Sequence, residues 1–252
     1  MKAAWETKAQ AFAALHVPES PLILYNVWDA GSAASVAEAG AKAIATGSWS
    51  VAAAQGYADG EKLPLDLAIA NLERIVSAVP LPVTIDLEGG YDNAAATAAQ
   101  ARRAGAVGCN LEDRVVGAEG LYPAERQGAR LAAVRDAAGP FFFINARTDV
   151  FLKAKAETHD EALLEEALER GRAYAAAGAN GLFFPGLVDE RLIALACERS
   201  PLRVNIMVWK GTPPLRRLAE LGAARISHAG APWRLAMNAL SEAARRTHAL
   251  EG

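Results

Sequence analysis

The chain is poor in the features that mark most non-enzymatic classes. It has two cysteines in 252 residues, Cys109 and Cys197, both in apolar segments without metal-ligand spacing. That leaves no basis for a disulfide framework and points to a reduced, cytoplasmic protein. Lys and Arg number 26 against 29 Asp and Glu, for a net charge of −3, and no basic block or aromatic-interleaved basic stripe occurs. Nucleic acid is therefore not expected as a main partner. No apolar run approaches a membrane span; the longest candidate, at 140–146, is strand-sized. The opening MKAAWETKAQAFAAL lacks the apolar core of a signal peptide and reads as an amphipathic helix. No linker rich in Pro, Gly or Ser divides the chain, so a single domain over 1–252 is expected, with small-molecule chemistry as its business.

What is present is an alternation of short apolar runs and helical segments. Strands are expected at ILYNVW (23–28), AIATG (43–47), VTIDLE (83–88), GCNLED (108–113), FFFINARTD (141–149), GLFFPG (181–186), RVNIMV (203–208) and ARISH (224–228). Helices are expected at 30–39, 64–78 and 93–104, from Pro123 onward, and up to Ala177 from a capping box at Thr158 and Glu161. The stretch 48–60 has no clear period and reads as a functional loop. Alternating units imply a parallel sheet, and eight of them in this length predict a (β/α)8 TIM-type barrel with an N-terminal helix and C-terminal helices. No glycine-rich dinucleotide fingerprint follows the first strand, which weakens an open doubly wound sheet.

In such a barrel the site lies at the C-terminal ends of the strands. Those ends supply Asp29, Ser48, Trp49, Asp86, Glu88, Asn110, Glu112, Asn145, Arg147, Asn205 and His228. Asp86 and Glu88 are two apart, so an extended strand would aim both from one face, and Gly89 and Gly90 then let the backbone turn. Taken alone, this Asp-x-Glu reads more readily as an exposed acidic turn. Two carboxylates about 5 Å apart repel by roughly 3 kcal/mol at an effective dielectric of about 20. Asp86, Glu88 and Glu112 together therefore call for raised pKa values or a cation. An all-oxygen set suits Mg²⁺, with Asp86 nearest it. The planar fork of Arg147 suits a substrate carboxylate, the alternative being an internal ion pair. His228 is either a general base or structural. Cys109 alternates with Asn110 and Glu112 and is expected to point outward under a helix.

With IDLEGGYDN around Asp86, NLED around Glu112 and NARTD around Arg147 in this order, the chain resembles the isocitrate lyase and phosphoenolpyruvate mutase superfamily. The resemblance runs from NVWDAGSA at 26–33 to the strand at 203–208. It implies a Mg²⁺-dependent barrel, with Mn²⁺ as a substitute, that makes and breaks C–C or C–P bonds of 2-oxo and 2-hydroxy acids. It implies that Asp86 binds the metal, that Glu88 and Glu112 hold it largely through water, and that Arg147 binds substrate. It also implies that the backbone near Ser48 and Trp49 receives the substrate carboxylate, and that Asp59 in GYADG matches a further family aspartate. Members are commonly tetramers that exchange a C-terminal helix.

The departures bear on the reaction. The lyases' Lys-Lys-Cys-Gly-His loop is replaced by RVVGAEGLYP at 114–123, and their Asn-x-Thr-Glu keeps only Asn205, with Met207 and Val208 following. Phe184 and Pro185 stand near the histidine position of the mutases. The expected function is a Mg²⁺-dependent carbon–carbon lyase of a small 2-hydroxy or 2-oxo di- or tricarboxylate, working through an enolate-like intermediate. Asp59 and Arg147 are its catalytic candidates, Asn205 contacts substrate, and 114–122 forms the lid. The alternatives are an oxaloacetate-type decarboxylase or hydrolase, and a non-catalytic 2-oxo acid binding protein. The partner is a small molecule, the assembly a tetramer or a helix-exchanging dimer, and no nucleic acid or membrane is involved.

Overall fold

The structure, a computed structural model, describes residues 2–249. Eight strands form its centre: β1 Leu22–Leu24, β2 Ile44–Ala45, β3 Val83–Asp86, β4 Gly108–Glu112, β5 Phe143–Arg147, β6 Gly181–Phe184, β7 Arg203–Met207 and β8 Arg225–Ser227. All pairings are parallel, in the order β1-β8-β7-β6-β5-β4-β3-β2. The remaining seam is bridged just beyond β1, where Val27 N donates to Ala45 O at 2.9 Å and Gly47 N to Val27 O at 3.3 Å. The expected TIM-type barrel is what forms.

The period of two along each strand sorts the side chains. Val83, Ile85 and Leu87, like Cys109 and Leu111, face the surrounding helices and join the main core, while Thr84, Asp86, Asn110 and Glu112 take the opposite face. Cys109 thus lies outward as expected, and burial pushes its thiol up to about 12. The N-terminal helix Lys2–Ala14 closes the N-terminal end of the barrel, where Ala9 and Phe12 pack on Leu22, Ala43, Val107 and Phe143. His16 stacks on Phe143 with ring centroids 4.0 Å apart.

Four local expectations need correction. Residues 48–60 begin with a helix, Ser48–Ala54, before the loop. The helix Glu161–Ala176 is capped by Asp160, which accepts from Leu163 N at 2.9 Å, while Thr158 lies in a 3-10 turn and donates to Lys155 O. A carboxylate two residues nearer the helix outcompetes the hydroxyl as a cap. Asp29 does not turn to the mouth of the barrel; it caps the helix Ala30–Glu38 through Ser32 N at 2.7 Å. The fifth strand starts at Phe143, leaving Phe141 exposed.

The last helix, Ala231–His248, leaves its own barrel almost at once. Only Pro232 on it is buried, and Leu235 and Leu240 are 64% and 63% exposed. On the outer face of β1, Ile23 and Tyr25 are also exposed, beside a groove of about 340 Å³ that reaches Val36 and Ala41.

Backbone proximity around β4 sets a test of the packing. A Cβ on Gly108 would fall 2.4 Å from Phe143 O, whereas on Gly171 it would meet a terminal methyl of Leu182 and no backbone atom. Gly108→Ala is expected to lower stability by about 3 kcal/mol and Gly171→Ala by about 1 kcal/mol, read from denaturant midpoints.

Candidate active site

At the C-terminal ends of the strands lies a cavity of about 100 Å³. Ser48, Trp49, Asp59, Asp86 and Arg147 line it, as expected, and so do Asn26, Phe183, Met207 and Ser227, which sequence reasoning missed. Asn205 is buried in the barrel wall, its Nδ2 facing Ser227 Oγ at 3.4 Å, and Met207 two residues on reaches the cavity. His228 is turned aside: its Nδ1 lies 3.2 Å from Leu24 O and burial lowers its pKa.

Asp86 ends β3 and is held on both oxygens. Its Oδ2 accepts from Ser48 Oγ at 2.8 Å and from Ser48 N at 3.3 Å, and its Oδ1 from Glu88 N at 3.3 Å. Ser48 opens the helix Ser48–Ala54, where backbone N–H groups lack intrahelical acceptors, so a carboxylate there is favourably placed. Trp49, next in that turn, is braced edge-on by Trp233 at 5.2 Å and covered by Gly230, where a Cβ would strike its ring.

Glu88 does not continue the strand. It has φ +52, the left-handed region, so the two-residue spacing from Asp86 no longer places both side chains on one face. Its Oε2 instead accepts from Gly60 N at 2.9 Å and Glu61 N at 2.8 Å, and Glu61 Oε1 in turn accepts from Tyr91 N. Glu88 therefore ties down the loop that presents Asp59. Burial and the neighbouring Asp86 raise its pKa to about 7, against the opposing Glu61 amide. Asp59 is exposed at the rim, yet the protein atoms packed around it, with the Asp86 charge, also raise its pKa.

Arg147 is both a cavity residue and an internal ion pair. Its Nη1 forms an ion pair with Glu112 Oε2 at 2.8 Å, and its Nε and Nη2 donate to Asp149 at 2.6 and 2.9 Å. Burial alone would lower its pKa; Glu112 and Asp149 more than offset this and hold it above the ordinary range. Burial pushes Glu112 up, and Arg147 opposes it. Two of the five guanidinium N–H bonds are thus spent on Asp149, and Nη1 lies against Glu112.

Behind this pair, Asp149 N donates to Asp113 Oδ1 at 2.9 Å, and Asp113 Oδ2 accepts from Tyr174 Oη at 2.8 Å and Arg170 Nη1 at 3.3 Å. The same Arg170 Nη1 donates to Tyr122 O at 2.8 Å. The expected lid is a pinched hairpin, with Tyr122 N donating to Asp113 O and Val115 N to Gly120 O, so its base is fixed and only its tip is free of the barrel.

The three expected metal carboxylates do not converge into a cage, and no group of three His, Cys, Asp or Glu side chains among the described residues does so. Glu88 is committed to amides and Glu112 to Arg147. The donor set still fits Mg²⁺, which takes one or two direct carboxylates and keeps its waters. Asp86 and Asp59 are the carboxylates that line the cavity, and Asp59, Glu88 and Glu112 all feel the Asp86 charge.

The mouth of this parallel barrel thus gathers Asp59, Asp86 and Arg147 around one cavity. The match to known proteins is more particular. Residues 12–248 match the phosphoenolpyruvate phosphomutase family. The 2-methylisocitrate lyase of Salmonella typhimurium is 30% identical over 255 residues, 95% of this chain and 83% of its own. A crystal structure from Burkholderia cenocepacia J2315 has 52% identity and a TM-score of 0.94, covering 96% of this chain and 99% of that one. The phosphoenolpyruvate phosphomutase of Streptomyces platensis subsp. rosaceus has 25% identity and a TM-score of 0.82, covering 93% and 85%. The chain belongs to the phosphoenolpyruvate phosphomutase family, within the isocitrate lyase and phosphoenolpyruvate mutase superfamily of lyases and mutases.

The raised Glu88 pKa sets a pH test. A folded-state pKa above the ordinary 4.5 means a contribution to stability that is complete below about 4.5 and is lost as pH rises through about 7. Glu88→Gln keeps an acceptor for the Gly60 and Glu61 amides. In EDTA it is expected to gain about 2 kcal/mol at pH 8.5 and nothing near pH 4.5, by denaturant unfolding.

Proposed function

We propose that the protein is a Mg²⁺-dependent carbon–carbon lyase of a small 2-hydroxy or 2-oxo di- or tricarboxylate, working through an enolate-like intermediate. The observation that carries this is the sharing of one cavity by Asp86, Asp59 and Arg147. Asp86 would hold the ion directly, with Glu88 and Glu112 contributing through water, and Mn²⁺ would substitute. When bound, the ion supplies a Lewis acid beside the carboxylate and C2 oxygen of the substrate. Arg147, fixed by Glu112 and Asp149, orients the substrate and stabilises the negative charge that develops on bond cleavage. The first turn at Ser48 and Trp49 receives the carboxylate. Asp59, whose pKa burial and the Asp86 charge raise, takes or returns the proton. The hairpin at 114–122 would close by its tip over a fixed base.

An oxaloacetate-type decarboxylase or hydrolase is the second reading, favoured by the walls of the cavity. Phe183 and Met207 are apolar, Arg147 is the only cationic residue among those that line the space of about 100 Å³, and a third substrate carboxylate would find no cation there. Oxaloacetate, methylisocitrate and phosphonopyruvate, each assayed with Mg²⁺ and with EDTA, separate the readings. Asp59→Asn is expected to lower kcat about a hundredfold while oxalate binding stays near wild type. Oxalate binding without turnover of any of the three would instead make the chain a non-catalytic 2-oxo acid binding protein.

We further propose a homo-oligomer, a dimer or tetramer, in the reduced cytoplasm, with a small molecule rather than nucleic acid or a membrane as its ligand. The exposed Leu235 and Leu240 of the last helix, and the uncovered groove beside Ile23 and Tyr25, are what a helix exchanged between copies would bury together. Light scattering should give a multiple of 26.5 kDa for the wild type. The double substitution Leu235→Lys with Leu240→Lys should give the monomer mass.

A further inference from the structure

The interior of a TIM barrel is ordinarily filled by branched apolar side chains. Beneath this mouth it is polar. Arg225, on β8, is 1% exposed, and its Nη2 reaches across to Asn110 Oδ1 on β4 at 3.1 Å. Its Nε and Nη1 have no hydrogen-bond partner among the described residues. The flanking groups are neutral amides: Asn110 accepts a second bond from Asn145 Nδ2 at 2.9 Å, and Asn205 is the register neighbour of Arg225 on β7. A buried guanidinium without a carboxylate is costly, so its retention calls for an account.

The arrangement of charge supplies one. Asn110 pairs in register with Asp86, so the guanidinium lies under the strand that carries the metal-facing carboxylate. Burial pulls the pKa of Arg225 down to about 9, and Asp86 is the first group acting against that, so Arg225 stays charged at neutral pH. Above it the mouth collects Asp59 and Asp86, with Glu88 behind them on the Gly60 and Glu61 amides, while Arg147 is already balanced by Glu112 and Asp149. An anion entering this cavity would meet an excess of negative charge. In a low-dielectric interior an uncancelled charge acts over several ångströms.

We infer that Arg225 is a positioning residue of the site, a buried and unpaired cation that offsets the acids of the mouth from below, favouring an anionic substrate and restraining the affinity for the divalent ion. The inference rests on the reading of the mouth as a site for a divalent cation and a carboxylate anion. A structural role would move both affinities in the same direction; a fixed charge moves them in opposite directions.

Calorimetry with Mn²⁺, and then with oxalate on the Mn²⁺-loaded protein, tests this. Arg225→Gln is expected to bind Mn²⁺ about tenfold more tightly and oxalate about tenfold more weakly. Arg225→Lys keeps the charge and is expected to bind both within about threefold of wild type, a test that stands if the glutamine variant does not fold. Weakening of both ligands in Arg225→Gln, no change in either, or a tenfold departure in a folded Arg225→Lys would each overturn the inference. If the wild type binds neither ligand, the reading of the mouth falls and the inference falls with it.

Discussion

The fork between Arg147 and Asp149, closed on its other side by Glu112, is the contact on which the mouth of the barrel depends. A bidentate guanidinium–carboxylate pair is among the stronger and more directional hydrogen-bonded contacts, and breaking one partner in a buried pair costs roughly 3–5 kcal/mol. Here the pair does more than neutralise charge. It fixes the end of β5 and spends two N–H bonds on one carboxylate. Through Asp149 N it also reaches Asp113, which Tyr174 and Arg170 hold from the helix behind. The base of the lid is anchored to the same aspartate. Substrate orientation and lid placement thus share one support.

The acids of the mouth divide the remaining work. Asp86 keeps a cavity-facing edge because Ser48 and the start of a helix hold it from the side. Glu88 gives up its place beside Asp86 to secure two amides of the loop that carries Asp59. Glu112 balances Arg147. A cluster that would repel itself is stable because most of its charges are spoken for, and Asp86, which lines the cavity with Asp59, is the carboxylate we assign to a hard divalent ion. The unpaired Arg225 lies beneath this group, which places the main positive charge of the interior where a substrate anion would benefit from it.

The barrel was legible because strands of period two and helices of longer period alternate eight times, and because strand ends in a barrel share one face. Asp86 and Arg147 were legible for the same reason. Glu88 was misplaced because a single left-handed residue after Asp86 cancels the alternation, and nothing in Asp-x-Glu announces that turn. Asp29 was drawn away by a local cap only three residues long. Asp149 stood in the motif NARTD, where the two-residue spacing from Arg147 is a visible signal for a bidentate pair. Phe183 and Met207 were missed because apolar residues at strand ends look like core. Arg170 and Tyr174 meet Asp113 across 57 and 61 residues of chain, a contact that closure of the barrel creates and no local pattern encodes.

The central claim is that Asp86 and Arg147 form one site, for a divalent ion and for the carboxylate of a 2-oxo acid. A crystal structure grown with Mn²⁺ and oxalate tests it most directly. The account predicts anomalous density within coordination distance of the Asp86 carboxylate, with oxalate between that ion, the guanidinium of Arg147 and the turn at Ser48 and Trp49. Manganese elsewhere, or oxalate bound without contact to Arg147, would contradict it.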